Sequence, residues 1–213
     1  MLPSIRAPEK RPRFLPARHL VLRDFLPPHI VERLTRSTLR CRARFAAGEV
    51  VPAVGGSQID ADFRRSHVLM DMPPAARPVV AEIEARLPEA LRKLGYPSFT
   101  VSRTDAQITA SGHGDFFRLH NDTGAGELES REITFVYYFH CMPKAFRGGE
   151  LRIHDSRLQH GDYVSDGQYQ TIVPEHNQIV FFPSSLMHEV TKVRCISGAF
   201  RDARFTVNGW CCR

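Results

Sequence analysis

Residues 132–139 read E-I-T-F-V-Y-Y-F, and this run decides the class of fold. β-Branched and aromatic side chains crowd it, and these residue types suit a pleated, packed surface better than a helix. At eight residues it has the length of a strand and is too short for a stable helix. The same texture recurs outward along the chain: S-F-T-V-S-R-T (98–104), D-A-Q-I-T-A (105–110), G-E-L-R-I (149–153), Y-Q-T-I-V (169–173), N-Q-I-V-F-F (177–182) and R-F-T-V-N-G-W (204–210). Seven or more short strands in about 115 residues predict a sandwich or barrel.

Upstream of residue 98 the texture is different. Residues 1–18 hold four prolines and no periodicity, which predicts an arm. H-L-V-L-R-D-F-L (19–26) reads as a short strand and leads into a Pro-started helix. Arg33, Arg36, Arg40 and Arg44 recur there at three- and four-residue spacing, giving a basic face beside an apolar one. A second helix is expected over 75–95, with Gly95 as its stop and a kink or break at Pro88. The expected fold is therefore α+β, mainly β, with residues 19–97 as a helical support region and 98–213 as a β core within one domain.

The formal charge is +6 over 213 residues, and residues 1–45 carry eleven Lys or Arg against three acids. No nucleic-acid recognition motif accompanies that charge, so a solvated basic face is the expectation. No run approaches the roughly 18 apolar residues of a membrane helix. The first twenty residues lack the apolar core of a secretory signal, so the expected location is the cytoplasm. Cys41, Cys141, Cys195, Cys211 and Cys212 show no C-x-x-C spacing and read as free thiols.

The chemistry-bearing pattern is His-x-Asp, which occurs three times: His113-Gly114-Asp115, His120-Asn121-Asp122 and His160-Gly161-Asp162. On a strand the pair puts an imidazole and a carboxylate on one face. A facial mononuclear iron site needs two imidazoles and one carboxylate, with positions left open. Glycines flank His113 and make its segment a turn, and His160 lies in a polar stretch that reads as a surface loop. Phe116, Phe117 and Leu119 instead precede His120 as a half-buried strand would, and His188, after V-F-F-P-S-S-L-M, is the best candidate for the second imidazole.

The ordered set R-L-H-N-D, I-T-F-V-Y-Y, F-R-G-G-E-L-R-I, I-V-F-F-P-S-S-L-M-H-E-V and R-F-T-V-N-G-W resembles the iron(II)- and 2-oxoglutarate-dependent oxygenases, in their prolyl 4-hydroxylase-like branch. The resemblance covers about residues 98–210 and implies a double-stranded β-helix (jelly-roll) core with N-terminal helices packed against it. It implies His120, Asp122 and His188 as ligands of Fe(II), Gly148 and Gly149 as the turn between core strands, and 2-oxoglutarate and O2 as co-substrates. Arg204, six residues before Trp210, matches the basic residue that holds the distal carboxylate of 2-oxoglutarate. Arg194 and Arg201 are rivals, because sixteen residues separate His188 from Arg204, more than is usual in the family. Alternation along the strand ranks Arg204 first, on one face with Thr206.

Tyr138 matches a tyrosine that reaches the same carboxylate, while Ala110-Ser111 stands where the family often has another tyrosine, leaving Gln107 or Thr109 to replace its contact. Arg131 and Trp210 match positions that meet the substrate. The implied reaction is hydroxylation of an unactivated C–H bond in an amino acid, a peptidyl residue (proline first) or an amino-acid-derived small molecule. Two other readings use similar residues: a cupin-like metal enzyme that needs no 2-oxoglutarate, and a non-catalytic binding module on the same fold.

Overall fold

The computed structural model describes residues 12–50, 56–124 and 126–213. A seven-stranded antiparallel sheet runs β2 (Leu20–Leu22), β12 (Gln178–Pro183), β8 (Arg131–Phe139), β15 (Arg204–Cys212), β6 (Arg103–Ser111), β5 (His67–Leu69), β3 (Ala46–Ala47). A six-stranded sheet runs β1 (Phe14–Leu15), β10 (Leu151–Gln159), β13 (His188–Val190), β7 (Phe116–His120), β4 (Arg64–Arg65), with β11 (Asp162–Ile172) also paired to β10. A two-stranded ribbon joins β9 (Arg147–Gly148) to β14 (Val193–Arg194). Helices α1 (Pro28–Arg40) and α2 (Arg77–Leu94) lie against the larger sheet, and among the described residues no helix is long and apolar enough to cross a membrane.

Residues 132–139 fall in β8, an interior strand of the larger sheet, and their near-continuous apolar character has a physical cause. The strand is covered on both sides, as strands that read without alternation usually are. Ile133, Phe135, Tyr137 and Phe139 join Val31 and Leu34 of α1 and Val79, Ile83, Leu87 and Leu91 of α2 in the main core. Tyr138 faces the other way and packs with Val180 and Phe182 of the same sheet and Leu151 and Ile153 of the smaller sheet. β15 repeats the division: Phe205, Val207 and Cys211 meet the helices, while Arg204, Thr206, Asn208 and Trp210 line a cavity between the sheets.

Several sequence expectations are adjusted. α2 is a single helix that continues through Pro88, so of the kink or break expected there the break is absent. Pro88 is exposed, so the missing N–H falls on the solvent side, while Val79, Ile83, Leu87 and Leu91 hold the helix to the core. Gly95 ends it at φ +63°, in the left-handed region that glycine accepts without strain. Arg44 is off the basic face of α1, because that helix stops at Arg40 and Arg44 sits in a short 3-10 turn, paired with Asp71. Residues 98–102 make no strand; Phe99 and Val101 pack on the core and the ladder starts at Arg103. Of the expected arm, residues 1–11 lie outside the described residues, whereas Phe14–Leu15 form β1 on the edge of the smaller sheet. The support region also contributes β2, β3, β4 and β5 to the two sheets.

Candidate active site

β7 ends on His120, β13 begins on His188, and the two are direct cross-strand partners. Directly opposed residues bring their side chains together, and here the ring centroids are 4.2 Å apart. Asp122 lies beyond the end of β7, so strand alternation does not aim it. Its backbone N–H donates to the Ser184 carbonyl at 2.9 Å, and Thr134 Oγ1 donates to its Oδ2 at 2.7 Å. The carboxylate then meets both rings: Oδ1 is 3.7 Å from His120 Nε2, and Oδ2 is 3.4 Å from His188 Nε2. One donor atom from each of the three residues lies within 4.8 Å of the others.

The tautomers follow from the backbone. His120 Nδ1 is 2.6 Å from the Arg118 carbonyl and His188 Nδ1 is 2.9 Å from the Leu186 carbonyl. A carbonyl only accepts, so each Nδ1 carries the proton and each Nε2 turns a lone pair to the shared volume. Burial, and then the charge of His188, pushes the His120 pKa down, which keeps that ring neutral as a ligand must be. Burial opposes ionisation of Asp122, but His188, His120 and the hydrogen bond from Thr134 outweigh it and hold the carboxyl below its ordinary range.

The three residues line a cavity of about 510 Å³ between the sheets. Arg204 lines it too and is almost wholly buried. Its Cζ lies 4.9 Å from the centroid of the Tyr138 ring, and among the described residues its Nε has no hydrogen-bond partner. No carboxylate of the described residues lies within ion-pair distance of Arg204, and burial lowers its pKa. Gly149 makes room for it: a Cβ there would stand 2.6 Å from Arg204 Cδ, and its φ of +69° is also one that glycine tolerates. Gly148, at φ +72°, approaches the Lys192 carbonyl so closely that a Cβ would lie 2.3 Å from it. A buried, unpaired guanidinium is costly unless an anion meets it.

A family profile described as "2OG-Fe(II) oxygenase superfamily" matches residues 106–212, the stretch that holds His120, Asp122, His188 and Arg204. The chain belongs to the 2OG-Fe(II) oxygenase superfamily. It is also similar to an uncharacterized PKHD-type hydroxylase of Synechocystis, 36% identical over 199 residues; the match takes in 92% of this chain and 64% of the length of that relative. Among solved structures, a prolyl-4-hydroxylase of Pseudomonas putida superposes with a TM-score of 0.66 at 19% identity, over 92% of this chain and 93% of that one. A prolyl hydroxylase of Trichoplax adhaerens, in complex with a peptide fragment of the hypoxia inducible factor oxygen degradation domain, gives 0.65 at 15% identity, over 91% and 83%. A viral collagen prolyl hydroxylase of Paramecium Bursaria Chlorella virus-1, in complex with 2OG, gives 0.57 at 16% identity, over 91% and 94%.

The superfamily implies Fe(II), 2-oxoglutarate and O2, and the oxygenase cavity has groups that fit the first two. Two imidazoles and a carboxylate form the donor set, with their lone pairs free. The lone buried cation of Arg204 is a counter-charge for a dicarboxylate. The rivals to Arg204 lie elsewhere: Arg194 is exposed on β14, and Arg201 is exposed in a 3-10 turn beside Asp202. Tyr138 is brought to Arg204 from behind and does not line the cavity. Gln107, Thr109 and Ser111 do line it, from β6.

Arg131 and Trp210 form one wall. The guanidinium carbon lies 3.4 Å from the centroid of the indole, and Arg131 Nη1 donates to the Asp122 carbonyl at 3.3 Å. Beyond that wall a more open hollow of about 660 Å³ runs between β6 and α2. The other His-x-Asp pairs stand apart from the ligand cluster. Asp115 accepts the Gly112 N–H at 2.8 Å and fastens the turn after β6, while His160 and Gly161 form the exposed hairpin tip between β10 and β11. Sequence reasoning missed Thr134, whose hydroxyl aims Asp122, and Arg64, which lines the cavity from β4. Thr134 could have been found from its parity with Val136 and Tyr138 on β8. Arg64 sits in an N-terminal half rich in arginine and carries no local signal.

Proposed function

We propose that the protein is an iron(II)- and 2-oxoglutarate-dependent hydroxylase of an unactivated C–H bond in an amino acid, a peptidyl residue with proline the first choice, or an amino-acid-derived small molecule. The two facing sheets are read as a double-stranded β-helix. The observation that carries the reading is one cavity holding both His120, Asp122 and His188 and a buried Arg204 with no anionic partner. The names of the Pseudomonas, Trichoplax and viral neighbours support a peptidyl proline. Five free cysteines suit a reducing, cytoplasmic setting.

In this reading His120 Nε2, Asp122 and His188 Nε2 hold Fe(II), and the Arg118 and Leu186 carbonyls keep the rings from turning. Arg204 takes the distal carboxylate of 2-oxoglutarate through its fork, and Tyr138, behind it, supports that guanidinium. Iron, 2-oxoglutarate and O2 together would supply the oxidant, with succinate and carbon dioxide as co-products. Arg131 and Trp210 wall the substrate's entry, and the apolar Phe117, Leu151 and Val190 keep water from the reacting carbon. A cupin-like enzyme without 2-oxoglutarate, or a binding module, would have no use for the buried Arg204.

Anaerobic titration with Fe(II) and then 2-oxoglutarate is the test. A weak visible charge-transfer band should appear in the wild type and be lost in His120→Ala. Absence of the band in the wild type, or no succinate from any amino acid or peptide, would sink the reading.

A further inference from the structure

We propose that Arg64 is a substrate-recognition residue and that the substrate presents a carboxylate to it. The inference rests on the hydroxylase reading above and narrows its substrate class to anionic molecules. Three arginines line the cavity, Arg64, Arg131 and Arg204, against two acids, Glu49 and Asp122. None of the three guanidiniums has a carboxylate of the described residues within ion-pair distance, and Glu49 instead accepts from the Ser57 hydroxyl. With the site loaded, the iron dication, Asp122, the two carboxylates of 2-oxoglutarate and Arg204 sum to zero charge. Among the described residues Arg64 and Arg131 are then left over in the cavity, with the exposed Glu49 of its lining and, on the far side of Arg131, Asp105 to set against them. A neutral substrate entering this space would strip water from unpaired cations and return nothing, whereas a carboxylate meets them with charge-assisted hydrogen bonds.

Arg64 is built for the task more firmly than a surface arginine. Its Nε donates to Ser66 Oγ at 3.0 Å and its Nη1 to the Glu49 carbonyl at 2.8 Å. These bonds fix the plane of the fork and leave Nη2 with no acceptor among the described residues. The guanidinium carbon lies 4.8 Å from the centroid of the Phe117 ring, and Phe117 in turn stacks on His120 at 3.7 Å. An anion held by Arg64 is thus one aromatic ring away from an iron ligand. Gly48 leaves the necessary space, since a Cβ there would stand 2.7 Å from both Arg64 Nε and Ser66 Oγ. Arg64 is half-buried; desolvation lowers its pKa and the charge of Asp122 opposes the shift.

The carboxylate has two sources, a free α-carboxylate or an acidic side chain in a peptide, and one experiment separates them. The anaerobic protein with Fe(II) and saturating 2-oxoglutarate is titrated with the N-acetyl derivatives of the twenty amino acids, each as free acid and as primary amide. Binding is read from perturbation of the visible band and by calorimetry. At least one free acid should bind about tenfold or more tighter than its amide. If only N-acetyl-aspartate amide and N-acetyl-glutamate amide among the amides bind, the anion is a side chain. Arg64→Gln should bring each acid and amide to within about twofold while leaving 2-oxoglutarate affinity unchanged, and Arg64→Lys should retain part of the preference. Loss of backbone support alone would weaken acid and amide alike, so the preference isolates recognition. Neutral amides that bind as well as the corresponding acids, no binding by any carboxylate-bearing derivative, or an unchanged preference in Arg64→Gln would overturn the proposal. Loss of 2-oxoglutarate binding in Arg64→Gln would assign the residue to the co-substrate instead. A wild-type protein that never forms the band overturns the hydroxylase reading itself.

Discussion

The two faces of the seven-stranded sheet are made by the same strands and do opposite work. Toward the helices, β8 and β15 show Ile133, Phe135, Tyr137, Phe139, Phe205, Val207 and Cys211, all buried in one apolar core. Toward the cavity, β6, β8 and β15 show Gln107, Thr109, Ser111, Thr134, Arg204, Thr206 and Asn208, most of them buried and polar. Some of these polar groups satisfy one another, as Thr109 and Thr206 do through Asn208 Oδ1, at 2.7 and 3.2 Å. Others do not: Arg204 Nε and Trp210 Nε1 have no partner. One face is finished by folding, and the other is left to be finished by ligands. Stability and function thus alternate residue by residue along β8 and β15.

The comparison breaks if substitutions on the two faces have the same consequences. The largest stability effect is expected on the helix face. Phe135→Ala removes a fully buried ring and should cost about 3–5 kcal/mol in chemical denaturation, with the affinity for Fe(II) of the remaining folded protein near wild type. Arg204→Ala, an equally buried position on the other face, should weaken 2-oxoglutarate about a hundredfold, which is about 3 kcal/mol. Its denaturation midpoint should stay level or rise, because an unpaired buried charge is removed. A midpoint that drops as far as that of Phe135→Ala would mean that both faces are structural.

Thr134→Val is a finer probe, since it keeps the shape of the side chain and removes the hydroxyl that donates to Asp122. Loss of such an outer partner typically lowers metal affinity by about tenfold or more. Calorimetric Fe(II) affinity, measured without oxygen, should show that drop with little change in stability. Unchanged affinity would mean that the Asp122 N–H to Ser184 bond alone aims the carboxylate.

What the sequence disclosed follows the same division. The helix face was legible because apolar parity on β8 and β12 is a local pattern, and the His120, Asp122 and His188 cluster was legible because its motifs fall in a fixed order. Arg204 was separable from Arg201 by strand alternation, and β15 indeed begins at Arg204, with Arg201 in the turn before it. Arg64 was hidden, because its place depends on β4 pairing with β7 far along the chain. The continuity of α2 through Pro88 was hidden too, since local propensity cannot see the apolar surface of the sheet that holds the helix on both sides of it.

His140 sharpens where the functional face ends. By parity it follows Thr134, Val136 and Tyr138, yet β8 stops at Phe139 and the ring leaves the sheet. It packs edge-on against Phe146 and beside His176, with Nδ1 3.0 Å from the Cys141 carbonyl and Lys144 close by. Burial pushes its pKa down to about 4; the Cys141 carbonyl opposes the shift, and His176 and Lys144 add to it. The folded ring is neutral where the unfolded one, titrating near 6.5, already holds a proton. Its contribution is therefore complete above about pH 6.5, falls away as the pH drops toward 4, and loses nothing further below that. At pH 5.5 the loss should be no more than about 1 kcal/mol once solvent screening of the ring is allowed for. Denaturation midpoints at pH 7 and 5.5 should differ less for His140→Gln than for the wild type. The burial of His176, which lowers its pKa as well, leaves a smaller residual slope. Affinity for Fe(II) at pH 7 should be the same in both proteins, since the ring does not line the cavity; a shift there would carry the functional face past Tyr138.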